Sequence, residues 1–324
     1  MKKIFLFSVL FIFLFSCTDD NEDDNSYDKD FKQEMRNFVI GISTYAKTIN
    51  PDFVIIPQNG QELATMDGEE FGDACLAYLT AIDGVGREDL FFGYDNDDVA
   101  TPSSDRSYMI SFLDVCENND VEVLTTDYCW TQSKMDDSYT QNNAKGYISF
   151  AAPERELNII PTYPANPYNV NSSIITTLAE AKNFLYLLNP ENFVSKQEFI
   201  TAIASTNYDV LIMDCFFDDA LFTSAEITQL KSKQNGGQRL VISYMSIGEA
   251  EDYRYYWQSE WKVGSPSWIK KENPDWEGNY KVLYWDTNWQ SIIYGNNESY
   301  LKKILDAGFD GVYLDIIDAF EYFE

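Results

Sequence analysis

The chain has 324 residues, 45% of them hydrophobic and 16% aromatic, enough for a large core with rings left over for a binding surface. Its formal net charge of -30 argues against nucleic acid or an anionic lipid surface as a partner, because phosphate contacts need clustered Lys and Arg. It contains no histidine, which excludes a Ser-His-Asp triad, a Cys-His pair and a histidine-ligated zinc centre, and leaves acid-base work to carboxylates, with Tyr, Lys or Cys as less common substitutes.

Lys2 and Lys3 precede a nearly unbroken apolar run over residues 4–15, too short to span a bilayer, which reads as an export signal. The run closes on Leu14-Phe15-Ser16-Cys17, similar to a bacterial lipoprotein cleavage site. Residues 1–16 are then a signal peptide, and Cys17 becomes the lipidated first residue of a protein anchored in the bacterial cell envelope, at the outer membrane and facing the periplasm or the surface. Ordinary cleavage that leaves Cys17 unmodified is the alternative. Residues 17–30, with "TDDNEDDNSYDKD", form an acidic tether that is either a plain spacer or similar to the surface-export signal of some Gram-negative lipoproteins.

Residues 31–324 are expected to form a single domain. Strands are predicted over 53–57 (FVIIP), 81–86 (AIDGVG), 121–126 (VEVLTT), 146–150 (GYISF), 209–213 (DVLIM), 239–245 (RLVISYM), 281–284 (KVLY) and 311–314 (GVYL). Between them, 69–81, 107–119, 223–237 and 289–308 carry apolar residues at three-to-four spacing, as helices do. Eight alternating units predict an α/β fold, a (β/α)8 TIM barrel. The last strand has no helix after it, whereas residues 29–51 form a helix with no strand before it. If that helix packs against the last strand, the barrel is circularly permuted, with the join near 151–195 at the linker-like "PTYPANPYNVNSS". Two α/β half-domains separated by that stretch are the alternative.

Cys75, Cys116, Cys129 and Cys215 lack metal-ligand spacing and allow three disulfide pairings that sequence cannot choose between. The acidic stretch 94–105 lacks the glycine and the closing glutamate of a calcium loop, so neither a metal nor a cofactor is expected.

At strand ends, where barrels keep their chemistry, stand Asn59, Glu88, Asp127, Asp214, Glu249, Asp286 and Asp315. Such a ring of acids suits glycosidic bond cleavage, in which one carboxylic acid protonates the leaving oxygen and a second carboxylate serves as nucleophile or base.

The blocks "VISYMSIGEAEDYRYYW", "NPDWEGNYKVLYWDTNWQSII" and "GFDGVYLDIIDAFEYF" resemble exported barrel proteins related to glycoside hydrolase family 114, the endo-α-1,4-polygalactosaminidase-like group. The blocks "PDFVIIPQNGQEL", "IDGVGREDLFFG", "VLTTDYC" and "GYISFAAPERELN" are similar to that group's second half but come first here, so the resemblance also implies permutation. It implies Asp315 as nucleophile and Glu88 as acid/base, although the family pattern follows that Glu with Cys and this chain has Asp89. Two strand spacings, about 9 to 10 Å, would separate their backbones, which suits either stereochemical outcome. Asp318, Asp214, Tyr244, Glu251 with Arg254, Trp285 with Asp286, and Asp127 with Tyr128 are expected to line sugar subsites, aromatic rings stacking on pyranose faces while carboxylates bind hydroxyls or a sugar ammonium. The function implied is hydrolysis of an α-linked amino-sugar-type polysaccharide; a noncatalytic glycan-binding lipoprotein on the same barrel is the alternative.

Overall fold

The computed structural model describes residues 27–324, so the expected signal peptide, Cys17 and most of the tether lie outside the described residues. The described chain opens on α1 (Phe31–Ile49), capped by Asp30, whose carboxylate accepts from the Gln33 amide at 2.8 Å. Met35, Phe38, Val39, Ile42 and Ala46 share its buried face, and Asn50-Pro51 ends it because proline cannot continue the helical hydrogen bonding.

Eight parallel strands form the centre: β1 (Val54–Pro57), β2 (Gly84–Glu88), β3 (Glu122–Tyr128), β4 (Ile148–Ala152), β5 (Phe184–Tyr186), β6 (Val210–Met213), β7 (Leu240–Ser246) and β8 (Gly311–Asp315). They make a five-stranded sheet in the order β1-β8-β7-β6-β5 and a three-stranded sheet β2-β3-β4. The two sheets meet where the Asn59 amide donates to the Gly86 carbonyl at 2.8 Å, extending β1 alongside β2. At the opposite margins, Phe150 of β4 packs on Phe184 of β5 with ring centroids 5.7 Å apart. Most central strand residues are buried, which explains near-continuous apolar runs such as "VLIM" in place of alternation. Gly86 is required in β2 because a Cβ there would lie 1.9 Å from the Tyr313 hydroxyl.

Helices α2 (Leu76–Leu79), α3 (Ser103–Glu117), α4 (Gln132–Lys145), α5 (Lys196–Ala204), α6 (Ser224–Leu230), α7 (Thr287–Ile293) and α8 (Tyr300–Ala307) fill the connections. The helical period read over 289–308 is two helices, broken where Gly295 takes φ +96. The period over 69–81 yields only the single turn of α2. On one side α1 meets the segment after α7, with Phe38 and Tyr294 centroids 6.0 Å apart. On its other side it meets the segment before β2, where Lys47 pairs with Asp83 at 3.0 Å. It also meets the segment after β8, where Lys32 pairs with Glu324 at 2.5 Å.

One strand prediction is corrected. Residues 281–284 do not join the central sheet: Asn279–Val282 pairs antiparallel with Glu249–Glu251 and Ile269–Glu272 in an excursion between β7 and α7. The eighth central strand is instead β5, three residues of "FLYLL" that follow the irregular stretch 153–177. Cys75, Cys116, Cys129 and Cys215 are buried free thiols.

Candidate active site

The carboxyl ends of the strands open on a cavity of about 400 Å³. Three turns out of the strands bend through the left-handed region, at Asn59 (φ 60), Asp89 (φ 59) and Ile316 (φ 58), each next to a residue that faces the cavity. For a β-branched residue such as Ile316 this conformation costs about 1–3 kcal/mol, strain of the kind found where backbone must place a functional group.

The carboxylate of Glu88, at the end of β2, accepts from three side chains, while its backbone amide donates to Asn59 Oδ1 at 3.2 Å. Its Oε2 takes the Gln58 amide at 2.6 Å and the Asn59 amide at 3.0 Å, and its Oε1 takes the Tyr128 hydroxyl at 2.5 Å. These contacts are in turn supported: Tyr186 donates to Gln58 at 3.1 Å, and the Arg155 guanidinium stacks 3.8 Å from the Tyr128 ring centroid. Arg155 is itself held by Asp89 at 2.8 Å and Asp97 at 2.6 Å.

Asp315, at the end of β8, accepts from the Tyr244 hydroxyl at 2.7 Å. Burial, helped by the charges of Glu88 and Asp318, pushes its carboxyl up to about 7 against the opposing Tyr244 hydrogen bond. Asp318 follows in the short helical turn Ile317–Tyr322 and is raised to about 6, again chiefly by burial. Between the strands of Asp315 and Glu88 lies only β1.

The excursion after β7 supplies the far wall. Arg254 bridges Asp214 at 2.5 Å and Glu251 at 2.6 Å, and Glu251 also accepts from Tyr253 at 2.7 Å. Burial raises Asp214 despite that arginine. Glu249 is 1% exposed; its Oε1 accepts from Asn273 and Tyr322, each at 3.0 Å, while its Oε2 has no protein partner. Burial raises this carboxyl as well, so a proton on it would be a donor at the cavity wall.

Of the residues expected from sequence, the structure gathers Asn59, Glu88, Tyr128, Asp214, Tyr244, Glu249, Glu251, Arg254, Asp315 and Asp318 around this one cavity. It places three elsewhere. Asp127 points to the other face of β3, where it accepts from the Phe91 and Phe92 amides, Ser138 and Asn142 at 2.6–3.2 Å. Strand alternation forces this, because Tyr128 faces the cavity and its neighbour must face away. Asp286 caps α7 through the Asn288 amide at 2.8 Å, and Trp285 packs on Tyr27, Phe31 and Phe323. Both followed from reading 281–284 as a central strand. Asp98 of the acidic stretch is occupied by Thr131 and Lys134.

The cavity also includes Gln58, Tyr186, Arg155 and the 60% exposed Trp276, which sequence reasoning passed over. Tyr186 belongs to β5, too short for its pattern to mark a strand, whereas Arg155 stands three residues beyond β4, at a strand end like the other site residues.

Residues 171–324 match the model of glycoside-hydrolase family GH114. The match contains Asp214, Tyr244, Glu249, Glu251, Arg254, Asp315 and Asp318, and leaves Glu88 outside. An uncharacterized protein of Methanocaldococcus jannaschii is 44% identical over 126 residues, 38% of this chain and 34% of its own length. An uncharacterized protein of Deinococcus radiodurans is 40% identical over 39% of this chain and 38% of its own, and one of Thermotoga maritima 38% identical over 37% and 36%. The chain thus spans little more than a third of the length of the curated relatives it matches. Through residues 171–324, the chain is related to glycoside-hydrolase family GH114.

Proposed function

We propose that the protein is a glycoside hydrolase, anchored by a lipid on Cys17 in a bacterial cell envelope, that cleaves an α-linked amino-sugar-type polysaccharide with the carboxyl pair Asp315 and Glu88. The observation that carries this reading is the pair itself, two acids on one cavity at strand ends separated by β1, with a proton retained on the buried Asp315 side up to about 7. Glycosidic cleavage needs such a pair to hold one proton between them. In the reactive form the pair's single proton has moved from Asp315 to Glu88; the Asp315 carboxylate, held by the Tyr244 hydroxyl, attacks the anomeric carbon while Glu88 delivers that proton to the departing oxygen. Water then attacks the glycosyl-aspartate, gives its proton to Glu88 and frees Asp315, restoring the pair. Gln58, Asn59 and Tyr128 keep Glu88 in place through both steps.

The scaffold of this reading is one circularly permuted (β/α)8 barrel. Support comes from the strand adjacencies, which run from β4 through β3, β2, β1, β8, β7 and β6 to β5, with β4 and β5 packed together at Phe150 and Phe184. It comes also from the contacts of α1 with the segments after α7, before β2 and after β8, and from a family match that starts at residue 171, within the expected join.

The protein is to be incubated with partly deacetylated and fully acetylated galactosamine and glucosamine polymers, with released oligosaccharides read by mass spectrometry. Release supports the hydrolase, whereas tight binding without turnover at any pH assigns the noncatalytic glycan-binding role instead. Labelled palmitate incorporated by wild type and lost in Cys17→Ser tests the anchor.

A further inference from the structure

Glu88 and Asp89 are consecutive acids at the end of β2, and the chain sends them to different partners. Asp89 takes φ 59, so Glu88 lines the cavity while Asp89 meets Arg155 in the loop after β4. The turn is fixed by its own backbone: the Asp89 amide donates to the Thr126 carbonyl at 2.9 Å, and the Asp89 carbonyl accepts from the Thr101 hydroxyl at 2.7 Å. Room for the carboxylate comes from Gly93, because a Cβ there would lie 2.1 Å from Asp89 Oδ1 and 3.2 Å from Arg155 Nη2.

Arg155 is held along its edge. Its Nη2 donates to Asp89 Oδ1 at 2.8 Å, to Asp97 Oδ1 at 2.6 Å and to the Gly93 carbonyl at 3.2 Å, while its Nε donates to Asp97 Oδ1 at 2.8 Å. Two carboxylates already answer its charge, so an anion on a ligand is not its partner. Its flat face is left, and that face lies 3.8 Å from the centroid of the Tyr128 ring.

The Tyr128 hydroxyl in turn donates to Glu88 Oε1. Burial and the Glu88 charge keep that phenol far above its ordinary value, so the hydroxyl stays a donor. A cation on the ring face draws density from the ring and strengthens the O–H as a donor. This bond matters most as Glu88 gives up its proton, because charge then develops on the carboxylate at which the hydroxyl is aimed. The path from Asp89 through Arg155 and Tyr128 to Glu88 closes through the Glu88-Asp89 peptide, so the turn that places the acid also places its support.

We propose that Arg155 is a positioning residue for Glu88, acting through the Tyr128 ring on the hydroxyl that meets the Glu88 carboxyl, and that Asp89 holds it there. The inference rests on the hydrolase reading and adds to it a residue that acts on the acid/base without touching it.

The test is kcat/KM on two substrates, the polymer that wild type cleaves and a dinitrophenyl glycoside of the oligosaccharide it releases, for wild type, Arg155→Met, Tyr128→Phe and the double variant. A sugar hydroxyl leaves with a proton from Glu88, whereas dinitrophenolate leaves without one. Arg155→Met is expected to lower kcat/KM about tenfold on the polymer, a loss that shrinks to within about twofold on the dinitrophenyl glycoside. In the Tyr128→Phe background the same substitution is expected to cost less than about twofold further on the polymer, because the hydroxyl it acts through is gone. Arg155→Met combined with Asp89→Asn removes the carboxylate left without its cation; it is the second variant should the first not fold, and the same losses are expected. Equal losses on both substrates, or losses that multiply in the double variant, would overturn the role and leave the hydrolase reading standing. No release from any polymer by wild type would remove the hydrolase reading and this role with it.

Discussion

Replacing Asp315 by asparagine should remove activity and stabilise the protein, but only at high pH. Burial and the neighbouring Glu88 and Asp318 hold this carboxyl at about 7 in the folded state, against 3.8 ordinarily, with the Tyr244 hydrogen bond opposing the rise. Because the folded value is the higher one, the folded protein keeps a proton that the unfolded chain has released. Stability from this group is present below about pH 4 and is lost as pH rises through 7. The difference, at about 1.4 kcal/mol per pH unit, sets a ceiling of about 4 kcal/mol, and solvent access through the open cavity brings the expectation to about 2 kcal/mol. Asparagine keeps the shape and an acceptor for Tyr244 but has no charge to desolvate. Urea denaturation of both proteins at pH 4 and pH 8 reads the effect: near equality at pH 4, and a gain of about 2 kcal/mol for Asp315→Asn at pH 8. A gain of the same size at both pH values, or a less stable variant at pH 8, would refute the reasoning.

The hydrolytic rate should fall as pH rises through about 7, where the carboxyl pair loses its shared proton; a rate constant from pH 6 to pH 9 in a kcat/KM profile would contradict this. Tyr128→Phe keeps the ring under Arg155 but removes the hydroxyl donated to Glu88, and should lower kcat about tenfold with little change in KM or melting temperature in steady-state and thermal assays. Arg254→Ala leaves Asp214 and Glu251 buried without their counter-charge and should cost about 3–5 kcal/mol in urea denaturation. Adding Asp214→Asn and Glu251→Gln should recover most of that loss, and a single-variant loss below about 1 kcal/mol would show the pair to be well solvated.

Strand residues that are buried on both faces announce themselves, and "VLIM", "RLVISYM" and "GVYL" were legible for that reason. Length and partner were not. "KVLY" has the same apolar, β-prone character, yet Ile269–Glu272 and Glu249–Glu251 claim it for an antiparallel excursion, a choice made by tertiary pairing. β5 is three residues long, below what a periodicity window resolves, and it carried Tyr186 out of view with it. Among site residues, those at strand ends could be named from position, but the face could not: Asp127 and Tyr128 are adjacent, and only the register of β3 decides that the tyrosine looks inward. Asp286 failed with its strand, and the Arg254 bridge to Asp214 joins residues forty apart that no local spacing connects.

The central claim is that Asp315 and Glu88 together break a glycosidic bond. Its most direct test is the initial rate of oligosaccharide release by Asp315→Asn and Glu88→Gln beside wild type, on a polymer that wild type cleaves, with folding checked by thermal melts. The account predicts a loss of at least about a hundredfold in each variant, with both still folded and still binding the polymer. Release at the wild-type rate by either variant would show that its carboxyl takes no part in the chemistry.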